Sequence, residues 1–234
     1  TAHGVWVAYV PDYSVDEVSS HAVGLLLAHA RGIPWLVEAS RNGVWSNAPV
    51  VPRRRLRGQT LGLLGFGRIG QAVAAKARGL GVELIVHDPF LDAQAIAAAG
   101  ARAVDRETLL READYLSLHA PLTEANRRFL DAAALALMKP TAFVINTARG
   151  GLVDEEALLQ AVQQGQIAGA ALDVLTVEPP APDHPLLHEP RILVTPHTGW
   201  YSEDANLDVR VRAAEEVVRV LSGERPRCPV NEVG

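Results

Sequence analysis

The stretch Leu61-Gly62-Leu63-Leu64-Gly65-Phe66-Gly67-Arg68-Ile69-Gly70 decides how the rest of the chain is read. A short apolar run ends in three glycines at GxGxxG spacing, directly before an alanine-rich helical stretch, Arg68 to Gly79. Gly65 permits a tight turn, Gly67 lets the backbone approach a pyrophosphate, and Gly70 brings helix and strand close. The amino terminus of such a helix presents unpaired N–H groups and a favourable dipole to an anion. The bland alternative is a glycine-rich turn with no ligand, and the order strand, helix, second strand (Val82 to His87) argues against it. Asp88 closes that second strand, 18 residues past Gly70. A carboxylate there hydrogen-bonds a ribose 2′-hydroxyl and repels a 2′-phosphate, and no arginine stands beside it, so NAD is expected rather than NADP.

Outward from this unit the same alternation recurs. Tyr115 to Leu118, Ala142 to Ile145, Ala168 to Leu172 and Ile192 to Val194 are short apolar runs, separated by helical stretches near 105–112, 124–137 and 154–164. Strands alternating with helices predict a doubly wound parallel α/β sheet of the Rossmann type, with every strand's carboxyl end on one edge. On the amino-terminal side, Ser14 and Glu17 have capping-box spacing, and a helix is predicted to Arg31, stopped by Gly32 and Pro34. Its apolar residues run more than halfway round, as expected for burial on two sides, one of them against a partner subunit. Residues 35–58 read as a short helix and a surface loop, with Arg53, Arg54, Arg55 and Arg57 as a solvated turn. Residues 178–190 hold five prolines and read as a loop, Ser202 to Ser222 as one long charged helix, and the remainder as an extended tail.

Composition bounds the function. The 234 residues are 48% hydrophobic and 21% charged, which excludes wholesale disorder, and allow one or two domains. A net charge of −5 argues against a nucleic-acid partner, and no apolar run is long enough to span a membrane. The lone Cys228 cannot form an internal disulfide, which points to a reducing, cytoplasmic setting.

Three polar residues each follow a predicted strand: Arg149, Glu178 and His197. On a parallel sheet their loops share the edge that carries the Gly65 turn. A guanidinium can clamp a substrate carboxylate, an imidazole can exchange a proton with an alcohol oxygen, and a carboxylate can orient that imidazole and favour its protonated form. Singly, each also reads as a surface or capping residue. Together on one edge they read as a hydride-transfer site.

The segments Asn146-Thr147-Ala148-Arg149-Gly150-Gly151, Ala171-Leu172-Asp173-Val174 with Val177-Glu178-Pro179, and Thr195-Pro196-His197-Thr198-Gly199-Trp200 resemble the signatures of the D-2-hydroxyacid dehydrogenase family. With the glycine-rich turn, the resemblance runs from Pro11 to the carboxyl end. It implies NAD-dependent interconversion of a small 2-oxoacid and a D-2-hydroxyacid, with Arg149 as the substrate-binding arginine, Glu178 as the acid supporting the histidine, and His197 as general acid/base. It also implies that Asp173 contacts the nicotinamide amide and that backbone near Thr147 and Ala148 lines the cofactor cleft, beside Gly65, Gly67, Arg68, Ile69, Gly70 and Asp88. The formate dehydrogenase branch has glutamine where this chain has Glu178, which speaks for hydroxyacid chemistry. The resemblance makes the Ser14–Arg31 helix a dimer-forming element. It further implies a flavodoxin-like outer substrate domain, of which residues 1–12 and 201–234 would be remnants around a dinucleotide-binding domain at 13–200, so that the chain reads as a fragment. Trp200-Tyr201 resembles phosphoglycerate-dehydrogenase-like members and the C-terminal-binding-protein corepressors, which leaves an NAD(H)-sensing scaffold, or a fragment that only binds dinucleotide, as alternatives.

Other residues carry less. His119 ends a strand at the productive edge and is expected either to line the cofactor cleft or to pack. His21 and His29, on the first helix, are expected to face the core or a subunit contact. His184 and His188 have i,i+4 spacing, but Pro182, Pro185 and Pro190 argue against the helix a metal site would need, and no metal is expected. Trp200 has two readings, as a wall that narrows the site and as packing for the closing helix.

Overall fold

The computed structural model describes residues 3–50 and 53–233. Residues 1 and 2 of the expected leading segment, 51 and 52 of the arginine-run loop, and 234 of the tail lie outside the described residues.

Seven strands form one parallel sheet: β1 (Thr60–Leu64), β2 (Glu83–His87), β3 (Arg102–Ala103), β4 (Tyr115–Leu118), β5 (Phe143–Asn146), β6 (Gly169–Leu172) and β7 (Ile192–Val194), in the order β3-β2-β1-β4-β5-β6-β7. β1 sits at the reversal of strand order, pairing Leu61 with Leu84 on one side and with Tyr115 on the other. Ligands of open α/β sheets bind at that reversal, outside the carboxyl ends of the strands. The central strands are continuous apolar runs because helices cover both faces. One face is covered by α1 (Val15–Arg31), α3 (Arg68–Arg78) and α4 (Ala93–Ala98), the other by α5 (Arg106–Glu112), α6 (Ala132–Leu137) and α7 (Glu155–Gln163). The crossover helices α4 to α7 share one device. Asp92, Asp105, Asp131 and Asp154 each accept the amide N–H three residues on, satisfying a donor that the first turn leaves free.

Several expectations need correction. Ser14 makes no side-chain cap for α1. Glu17 is engaged instead by the Ser202 hydroxyl, 2.7 Å away, so a tertiary partner takes the carboxylate that the local box requires. The predicted helix 124–137 is a 3-10 turn at Glu124–Asn126, closed by a Thr123–Asn126 capping box, followed by a break at Arg128 (φ +52°) and then α6. The break lets Leu130 pair with Val153 as an isolated bridge and brings Asp131 into position to cap. α4 and the two-residue edge strand β3 are additions that the sequence reading lacks. The proline-rich loop 178–190 contains one helical turn, α8 (Pro185–His188), with proline in its first turn, where a missing N–H costs nothing. The arginine run is not merely solvated: Arg53 lies over the Trp35 ring and donates to His29 Nε2, and Arg54 pairs with the buried Asp114.

α2 (Ile33–Arg41) follows α1 directly, because Gly32 adopts φ +66° and returns its N–H to the carbonyls of Ala28 and His29. α9 (Glu203–Leu221), capped by Ser202, buries only Ala205 and leaves Leu207, Val217, Val218 and Leu221 exposed. The amino-terminal segment pairs antiparallel with the tail through Tyr9 N–H to the Cys228 carbonyl and Val230 N–H to the Val7 carbonyl. Among the described residues, no helix is long and apolar enough to cross a membrane.

Candidate active site

The β1–α3 turn is the floor of the site. Gly65 has φ +86°, and a Cβ on it would press on the Ala120 backbone nitrogen at 2.7 Å; a Cβ on Gly70 would collide with the Gly65 carbonyl. Both glycines are therefore buried necessities of the turn. Gly67 differs: a Cβ there meets no protein atom within 4 Å, so its backbone borders open space. Asp88 reaches back to the turn and accepts the Phe66 N–H at 2.8 Å with Oδ2, while Oδ1 takes the Phe90 N–H.

A cavity of about 870 Å³ opens above this turn. It is lined by Gly67, Arg68, Ile69, His119, Thr147, Ala148, Arg149, Asp173 and His197, so nine of the thirteen residues singled out in the sequence share it. Gly65 and Gly70 lie within the turn, Asp88 behind it, and Glu178 on the far side of His197, where a second cavity of about 540 Å³ begins. Trp200 lines the larger cavity and packs edge-on against Tyr13, ahead of α1, rather than against the closing helix. Arg68 is met there by Asp12 at 2.7 Å.

The Arg149 loop is shaped by Asn146, at the buried end of β5. Its side chain accepts the Ala148 N–H and donates to the Arg149 carbonyl, stapling the turn. Gly150 packs so tightly against the Leu175–Thr176 backbone that no Cβ would fit, which draws the loops carrying Arg149 and Glu178 together. The guanidinium is exposed at the cavity and donates to the Ala148 carbonyl.

Glu178 and His197 are in direct polar contact. Glu178 Oε2 lies 2.6 Å from His197 Nδ1, and Oε1 accepts the Leu175 N–H at 2.8 Å. His197 itself has φ +51°, a left-handed conformation that costs a non-glycine residue roughly 1–2 kcal/mol. Asp173, 3% exposed, holds the flanks of that strained residue. Its Oδ1 accepts the Thr195 hydroxyl at 2.6 Å and the Thr198 N–H at 3.0 Å, and its Oδ2 accepts the Gly199 N–H at 2.8 Å. Burial pushes this carboxyl up, but the hydrogen bonds from His21, Thr195, Gly199 and Thr198 outweigh it and hold the group below its ordinary value, as the carboxylate.

His119 is pushed down to about 4 by burial, so its ring is neutral at pH 7. Nε2 meets the Ser117 hydroxyl, but Nδ1 is buried without a hydrogen-bond partner among the described residues, as is the Thr147 hydroxyl. Two unpartnered polar atoms on residues that line a cavity, with an open backbone cradle at Gly67, are what a polar ligand would satisfy. The donor set fits a dinucleotide.

Sequence reasoning missed two contributors. Asn146 reads in the sequence only as part of a motif, and His21 reads as facing the core or a subunit contact, although its Nε2 lies 3.1 Å from Thr195 Oγ1 and 3.4 Å from Asp173 Oδ1. No local signal links His21 to a residue so distant in sequence. His29 does face the core, stacked on Phe143 at 3.6 Å. His184 and His188 diverge, the first toward Glu155 and the second to the Pro182 carbonyl.

Fold, turn and cleft together define a dinucleotide-binding α/β domain. Residues 23–199 match the family model described as D-isomer specific 2-hydroxyacid dehydrogenase, NAD binding domain, and the chain belongs to that family. It is 39% identical over 231 residues to D-3-phosphoglycerate dehydrogenase 3, chloroplastic, of Arabidopsis thaliana, covering 99% of this chain and 39% of that protein. Among solved structures it is similar to the TT0316 protein from Thermus thermophilus, with TM-score 0.90, 37% identity, and coverage of 98% of this chain and 73% of that one. It is also similar to D-lactate dehydrogenase with NAD+ from Lactobacillus jensenii, with TM-score 0.86, 28% identity, and coverage of 97% and 72%. The chain spans about two-fifths of the length of the curated relatives it matches.

Proposed function

We propose that this chain carries the dinucleotide-binding part of an NAD-dependent enzyme that interconverts a 2-oxoacid and a D-2-hydroxyacid. The observation that carries the reading is the 2.6 Å contact between Glu178 and His197 at the rim of a cleft that also receives Arg149. When bound, the nicotinamide supplies or accepts the hydride. Because Nδ1 of His197 is occupied by Glu178, Nε2 is the nitrogen left to exchange a proton with the substrate oxygen. Glu178, anchored on the Leu175 amide, fixes the ring and faces the positive charge that the ring carries when protonated. Arg149 binds the substrate carboxylate, for which its planar fork is suited. The Gly65–Gly70 turn, with Gly67, Arg68 and Ile69 at the cleft, receives the pyrophosphate; Asp88 receives the ribose; His119, Thr147, Ala148 and Asp173 receive the nicotinamide half.

We extend the proposal to organisation. Residues 13–200 form the dinucleotide-binding domain, and 1–12 and 201–234 belong with an outer substrate domain; the exposed apolar face of α9 and the pairing of the two terminal segments support this. Two copies associate through the Ser14–Arg31 helix, a reading supported by the exposed apolar Ile33 and Val37 of α2, which follows it directly. The lone Cys228 supports a cytoplasmic setting.

The test is a panel of 2-oxoacids against the complete gene product, following NADH loss, after NADH binding has been established by fluorescence. Turnover of at least one oxoacid is expected. Tight NADH binding with no turnover of any would favour the scaffold reading instead.

A further inference from the structure

We infer that His21, delivered from α1, is a positioning residue for the general acid/base His197, acting through Thr195 and Asp173. The inference rests on the proposed role of His197.

The chain of hydrogen bonds has a definite direction. Thr195 has one hydroxyl proton, and it goes to the Asp173 carboxylate at 2.6 Å. His21 Nε2 then faces two acceptors, the Thr195 oxygen at 3.1 Å and Asp173 Oδ1 at 3.4 Å, and so carries the proton. His21 therefore donates to Thr195, which donates to Asp173, which in turn accepts the Thr198 and Gly199 amides. These partners flank His197 on both sides. Gly199 makes the arrangement possible: a Cβ there would lie 2.8 Å from Asp173 Oδ2 and 3.1 Å from the His21 ring.

A residue held at φ +51° relaxes unless both flanks are fixed. Asp173 fixes the distal flank through two amides; on the proximal side the Leu172 carbonyl holds the Thr195 N–H, and the Thr195 hydroxyl adds a side-chain tie to Asp173. Without a donor at residue 21, the Thr195 oxygen and Asp173 Oδ1 lose the N–H that they share, and the side-chain tie on the proximal flank is weakened. His21 does not line the dinucleotide cleft, so its effect must travel through the loop. It is also rigidly mounted. Lys76 of α3 donates to Asp16 and Ser19 of α1, locking the helix that carries His21 to the helix that opens at the Gly67 turn. One scaffold thus registers the catalytic loop against the cofactor turn.

The experiment compares the parent with His21→Leu, His21→Gln and Thr195→Val. Gln keeps a donor near the position of Nε2; Leu removes it; Val removes the hydroxyl at nearly constant size. Ring 15N signals of His197, assigned by their loss in His197→Asn, report its geometry whether or not the protein turns over. We expect one His197 signal set in the parent and in His21→Gln, and shifted or broadened signals in His21→Leu and Thr195→Val. NADH affinity should change less than about twofold, while kcat for the oxoacid falls about tenfold or more in the latter two, the size of a sub-ångström misplacement. His197 signals and kcat unchanged in a folded His21→Leu would overturn the inference, as would failure of Gln to do better than Leu. Should Leu not fold, Thr195→Val carries the same test. Signals that respond as expected in a protein that reduces no oxoacid would sink the proposed activity and leave the positioning role standing; turnover with unresponsive signals would do the reverse.

Discussion

Glu178 is clamped from two sides: one oxygen accepts the Leu175 amide and the other lies 2.6 Å from His197 Nδ1. The pair is half exposed, so its value lies in fixing an imidazole rather than in stabilising the fold. Glu178→Gln keeps the size and a hydrogen bond but removes the charge. Expected is a fall in kcat of about ten- to a hundredfold, with NADH affinity unchanged, read by steady-state rates beside a fluorescence titration. Unaltered kcat would separate Glu178 from the chemistry.

Arg149 reaches the cleft on a loop set by Asn146, and its exposed guanidinium donates to the Ala148 carbonyl through Nη1. In Arg149→Lys a point charge replaces a planar fork, so KM for the oxoacid should rise about tenfold or more while NADH binding holds. An equal KM would remove Arg149 from substrate binding.

Asp88 sits beside the turn, where it accepts the Phe66 amide, and is the residue proposed to receive the ribose. Asp88→Ser should weaken NADH through loss of the carboxylate and narrow the preference over NADPH by about tenfold, since the repulsion of a 2′-phosphate disappears. Parallel titrations of both dinucleotides measure the ratio; an unchanged ratio would place selectivity elsewhere.

Stability should depend on pH through two imidazoles, one buried in the core and one half-buried at the cleft. Burial, aided by the Arg53 cation, pushes His29 down to about 3, and burial pushes His119 to about 4. Both folded values lie below the unfolded value near 6.5, so the unfolded chain binds more protons as pH falls. The neutral rings contribute fully above that value, and the contribution is lost from about pH 6.5 downward, through about 4 for His119 and about 3 for His29. Between pH 7 and 5 each ring accounts for about 2 kcal/mol. Urea melts at the two pH values should show the loss, and His29→Phe, which can still stack on Phe143, should show less of it.

Much of this architecture was legible because it is local. The glycine turn, its flanking strands and the long helices rest on spacing within a few residues, and the three site loops follow from the shared edge of a parallel sheet. What escaped the sequence depends on partners far away. β3 has two residues, too few for any pattern, and exists because Ile85 and Val86 of β2 offer a free edge. The capping box at Ser14 failed because Glu17 found Ser202, and the helix at 124–137 broke because Leu130 found Val153. His21 was invisible as a site residue for the same reason: its meaning lies in Thr195, 174 positions on.

The most direct measurement follows deuterium from 4-deuterated NADH into the product of a reducible 2-oxoacid, using the complete gene product and its His197→Asn variant. The site predicts label at C2 of the D-hydroxyacid, made by the parent and suppressed about a thousandfold or more in a variant that still binds NADH. Label appearing at a comparable rate without the imidazole would contradict it.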